Sequence, residues 1–141
     1  MPVLAPSVPT GRTRRATIGR GVRIAFRHFP LTQIHPHSLA GAAAAEAAAS
    51  QDRFWNMHEL LFHRQKALED DDLLRSAADL GLDVARFDQD RTGVAVLGRI
   101  RRDVESGLAS DEVRGTPTLF IDGVVHRDGY DAATLMEALA R

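Results

Sequence analysis

The chain has 141 residues, 44% of them hydrophobic and 26% charged, a length and composition that fit one globular domain with a substantial core. Its formal net charge of −1 argues against a dedicated nucleic-acid or polyanion binder. It contains no cysteine, which excludes disulfides, thiolate metal sites and thiol–disulfide exchange by these residues.

Met1 to Gly21 hold three prolines (Pro2, Pro6, Pro9), the basic cluster Arg12, Arg14, Arg15 and Arg20, and no sustained periodicity. That pattern predicts a disordered leader in preference to a nucleic-acid arm. Val22 to Phe26 alternates and then turns apolar, as a strand ending near Phe29-Pro30 does. Pro36 suits the first turn of a helix, and Leu39 to Ala49 continue it with high intrinsic propensity. Gln51-Asp52 opens a second helix with Phe54, Met57 and Leu61 on one face and Trp55 and Phe62 beside it, all read as core. Glu69 to Asp72 cap a third helix that stops at Gly81, a reading favoured over a metal site because the acids are contiguous. Asp83 caps a short helix through Phe87. Val94, Leu97, Ile100 and Val104 form a helical stripe closed by Gly107.

The last segment is the most specific. Thr118 to Ile121 form a short apolar strand, Asp122-Gly123 a two-residue turn, and Val124 to His126 the returning strand. Pro117 stands at the strand entrance, where its missing N–H does least harm, and it pushes Thr116 towards extended geometry. Asp131 caps a terminal helix with Leu135 and Leu139 facing inward. Strands separated by helices predict an α/β layered domain.

Gly115-Thr-Pro-Thr-Leu-Phe-Ile-Asp-Gly123, followed by one helix, resembles the cis-proline loop and closing hairpin of a thioredoxin fold. Phe26-Arg-His-Phe-Pro-Leu31 and Phe54-Trp-Asn-Met-His58 agree with its DsbA-like branch, over about residues 22 to 141. The resemblance implies a cis Thr116–Pro117 bond, a helical insertion over about 36–108, and a hairpin plus last helix over 115–141. It implies thiol–disulfide oxidoreduction on protein substrates as the family activity. It also implies a central first strand and a Cys-x-x-Cys helix, and neither is found here. The expected fold is therefore a thioredoxin-like α/β domain over 22–141 without those two elements, after a leader over 1–21. Read one nucleotide later, the codons of Met1 to Leu4 permit Cys-Pro-Tyr and continue through Arg-Arg-Ala, similar to the family's active-site helix. A frame-shifted or mistranslated leader is thus expected, with at best one cysteine in the other frame.

These readings name no catalytic residue, no metal ligand and no cofactor. The substrate-binding candidates are Thr116 and Pro117, whose loop in the family offers backbone groups to an extended peptide. The expected partner is an extended peptide or unfolded protein segment, with self-association through exposed sheet edges as a further possibility. No nucleic acid and no membrane span are expected, and the chain as written, with no signal peptide, is expected to be cytoplasmic, or exported if the true N-terminus is longer. A redox-inactive peptide-binding module and a remnant without function both stay open. His35-Pro36-His37, and the pair His58 and His63, fit surface or capping histidines better than metal ligands. His28 fits a partly buried structural histidine.

Overall fold

The computed structural model describes residues 14–18 and 21–141. They fall into two compact units, divided between Val104 and Glu105.

The first unit begins with β1 (Arg15–Ile18) and β2 (Val22–Ala25), antiparallel with Arg15 opposite Ala25 and Thr17 opposite Arg23. β1 lies inside the stretch expected to be a disordered leader, so for residues 15–18 that expectation is corrected. Ala16 and Ile24 of this hairpin pack with Phe26, Ala45, Phe54 and Trp55. The rest of the leader call, residues 1–13, 19 and 20, lies outside the described residues, as do its prolines.

Five helices follow: α1 (Ser38–Ala49), α2 (Phe54–His63), α3 (Asp70–Asp79), α4 (Val84–Arg91) and α5 (Val94–Ala109). They span the expected insertion. α1 packs against α2, α3 and α4, and its alanines explain how. Ala44, Ala47 and Ala48 present almost no side chain, so Met57, Leu73, Ala77 and Phe87 close directly onto the α1 backbone. Three helix ends carry a readable signal. Glu69 donates its backbone N–H to Asp72 at 3.2 Å, Asp83 accepts from the Arg86 N–H at 3.1 Å, and Gly81 takes φ +73° after α3.

Three boundaries differ from expectation. α1 starts at Ser38 behind His37, leaving Pro36 outside it; α2 starts at Phe54, because Asp52 turns left-handed at φ +62°; and α5 runs past Gly107 to Ala109. The buried face of α5 is Val96, Ile100 and Asp103, whereas Val94 is 90% exposed and Leu97 lies outside the core. Phe62, read as core, is 61% exposed; Trp55 is buried as expected.

The second unit contains β3 (Leu119–Ile121), β4 (Val124–His126) and α6 (Ala132–Ala140). β3 and β4 pair antiparallel through Asp122 and Gly123, at φ +50° and +83°, the left-handed pair that a tight hairpin turn requires. Thr118 stands just before β3 instead of within it. Asp131 caps α6 by accepting the Thr134 N–H at 2.9 Å. α6 buries no residue completely, and Leu139, expected to face inward, is 45% exposed.

Candidate functional site

Two constellations carry chemistry, one in each unit. In the first unit, His28 follows β2 and is 4% exposed, more buried than its sequence reading. Its Nε2 lies 2.9 Å from Glu46 Oε1 on α1, and its backbone N–H donates to Asp103 Oδ2 on α5 at 2.9 Å. A carboxylate only accepts, so Nε2 carries the proton. Arg14, just before β1, donates to Asp103, and Arg99 approaches Glu46 at 3.7 Å. Glu46 and Asp103 are both buried. Four separate segments are thus tied together by two buried carboxylates, each facing cationic or N–H donors.

An aromatic box adjoins this network. Phe26, Phe54, Trp55, His58 and Phe62 meet ring to ring, with His58 stacked over Phe54 at 5.7 Å and set edge-on to Phe26 at 4.7 Å. Burial pushes the His58 imidazole down from 6.5 to about 4, and repulsion from His28 adds to the effect. The unfolded chain therefore takes up this proton first as pH falls. Stability is full above pH 6.5 and declines towards pH 4, by about 1.4 kcal/mol per unit and about 2 to 3 kcal/mol in all, allowing for the ring's partial exposure. Chemical denaturation between pH 7 and pH 4 checks this, and His58→Phe is expected to flatten that part of the profile.

The remaining histidines do not converge. His37 meets Glu69 at 3.4 Å and His63 meets Glu59 at 3.9 Å, both on the exterior. Among the described residues no group of three or more His, Cys, Asp or Glu is arranged to hold a metal ion. None of their helices is long and apolar enough to cross a membrane.

In the second unit the Thr116–Pro117 peptide is cis. Both residues are exposed, and among the described residues no hydrogen bond engages Thr116. The loop is held from both sides of that residue. Thr118 Oγ1 donates to the Gly115 carbonyl at 2.6 Å, and the Tyr130 hydroxyl donates to the Pro117 carbonyl at 2.9 Å. Glu112 is clamped by Arg127, which reaches its carboxylate at 2.6 Å and its carbonyl at 2.9 Å. His126, buried, bonds the Gly129 carbonyl through Nε2 at 2.6 Å and so positions the turn bearing Tyr130. The loop is thus braced at Gly115 and Pro117, on either side of the exposed Thr116. Tyr130, Arg127 and His126 escaped the sequence reading. Only the position of Tyr130 between the hairpin and the Asp131 cap could have marked it.

The model of the DSBA-like thioredoxin domain matches residues 28–140. Curated relatives include Na(+)/H(+) antiporter NhaA 1 of Mycolicibacterium vanbaalenii, 42% identical over 127 residues, which span 89% of this chain and 20% of that protein. Na(+)/H(+) antiporter NhaA of Herminiimonas arsenicoxydans is 44% identical over 125 residues, with the same coverage. Na(+)/H(+) antiporter NhaA 3 of Salinispora tropica is 46% identical over 118 residues, covering 84% of this chain and 18% of the relative. The chain spans about a fifth of the length of the curated relatives it matches. No solved structure matches it. With a family model covering most of its length, and with no cysteine among its 141 residues, the chain belongs to the DSBA-like thioredoxin domain family.

Proposed function

We propose that this chain is a redox-inactive member of its family that holds an extended peptide or unfolded protein segment beside Thr116 and Pro117. The observation that carries the reading is the exposed Thr116, with no hydrogen bond among the described residues and a brace on either side. A peptide strand laid against it gains main-chain hydrogen bonds without rearranging the loop, which keeps the ordering cost low. Oxidoreduction needs a thiolate, and the 141 residues supply none. The relatives' names add a setting. A domain of this kind beside a sodium/proton antiporter has a membrane transporter as neighbour, and an extended segment of that neighbour is a suitable occupant.

The test is calorimetry with an unfolded, cysteine-free peptide. Pro117→Ala releases the φ restraint and the restriction on Thr116, so the peptide must order a looser loop. Affinity is expected to fall about tenfold, the equivalent of one or two lost backbone hydrogen bonds. Unchanged affinity in a variant that keeps the wild-type circular dichroism spectrum sinks the reading.

A further inference from the structure

In the second unit the segment that leads to Thr116 is pinned through its main chain. The Glu112 N–H donates to Ser110 Oγ at 3.2 Å, and the Glu112 carbonyl accepts from Arg127 at 2.9 Å. The Gly115 carbonyl accepts from Thr118 Oγ1 at 2.6 Å. Between these anchors stands Arg114, exposed and two residues before Thr116. Among the described residues no hydrogen bond and no ion pair engages it.

Its surroundings make that isolation informative. Residues 105–141 hold seven acids and three arginines. Arg127 is spent on Glu112 at 2.6 Å, and Arg141 on Glu137 at 3.2 Å. Arg114 is thus the one arginine of this unit without a carboxylate among the described residues, although acids outnumber bases around it. Its guanidinium offers five N–H donors in a planar fork, the shape that matches a carboxylate. Only Gly115 separates it from Thr116. Alternate residues of an extended chain stand about 7 Å apart, so a segment bonded at Thr116 carries its flanking residues past Arg114.

From this placement we infer that Arg114 is the specificity residue of the peptide site, selecting an extended segment with one carboxylate next to the part bonded at Thr116. The inference rests on the reading of Thr116 and Pro117 as a peptide-holding loop. The carboxylate belongs to an Asp or Glu side chain, or to the end of the segment, since both present the same pair of acceptor oxygens. A segment rich in acids is not favoured. The unit as a whole is acidic and repels it, so the preference comes from one local pair and not from net charge.

Calorimetry of the full chain at about 50 mM salt tests this. The parent ligand is an uncharged, cysteine-free peptide blocked at both ends, and in its variants a single Glu is walked along the sequence. Glu at one position is expected to tighten binding about threefold to fivefold, as an exposed arginine–carboxylate pair does. Arg114→Gln is expected to abolish that gain while leaving the parent's affinity unchanged. Arg141→Gln, which removes the same charge elsewhere in the unit, is expected to keep it. A gain on freeing the peptide's C-terminal carboxylate, lost with Arg114→Gln, supports the inference too and makes the chain end the source. Parent binding with no gain from any carboxylate overturns the inference alone. So does a gain that survives Arg114→Gln, or one that falls equally in both variants. No binding of the parent sinks the underlying reading, and the inference with it.

Discussion

Glu46→Ala is expected to destabilise the first unit by about 3 to 5 kcal/mol, read as a lowered midpoint in denaturant with an unchanged slope. Glu46 is 5% exposed and accepts from His28 while facing Arg14 at 4.0 Å and Arg99 at 3.7 Å. Truncating it leaves a buried imidazole N–H without an acceptor and removes the negative charge that offsets two arginines. The loss is dominated by what remains behind, not by the attraction itself. Glu46→Gln separates the two contributions, since an amide oxygen still accepts from His28 Nε2 but carries no charge. It is expected to recover about half of the loss. If Glu46→Ala costs less than about 1 kcal/mol, the network does not hold the unit together.

Phe54→Ala is the second large effect, at about 3 to 5 kcal/mol. The ring is fully buried and touches Phe26, His28, Trp55 and His58. No neighbouring side chain can collapse into its place, because Trp55 and Phe26 already meet edge to face at 6.5 Å. Removing the ring also opens a path for water to His58. The depressed His58 titration, about 4 in the native box, is expected to rise towards 6.5 in the variant, followed by imidazole proton NMR. A stability loss without that rise would mean that something other than this ring keeps water from His58.

Local signals were legible, and non-local ones were not. Asp122-Gly123, Gly81, Asp83 and Asp131 announce a turn, a helix stop and two caps, because each acts within a few residues of itself. The Thr116-Pro117 loop was equally legible. Its brace was not, since Tyr130 reaches Pro117 across thirteen positions. β1 is four residues of weak pattern, and it becomes a strand through its pairing with β2. Half of the α5 stripe meets the core, through Ile100 and Val104, while Val94 and Leu97 are exposed. Val94, Leu97, Ile100 and Val104 have a helical period, but the buried face runs through Val96, Ile100 and Asp103. Asp103 turns inward because Arg14 and the His28 N–H, distant in sequence, meet it there. Glu46, the only acid in an alanine-rich helix, carries no local signal of its buried role. The chemistry that buries it comes from three other segments.

The claim that this family member holds peptides without thiol chemistry is tested most directly at the Thr116 backbone. Amide NMR of the chain, titrated with an unfolded cysteine-free peptide, reports each N–H separately. The account predicts saturable shifts at Thr116, Thr118 and Leu119, with slowed hydrogen exchange at Thr116 as its N–H gains a partner. Peptide binding that leaves those resonances unmoved, or no binding at all, would contradict it.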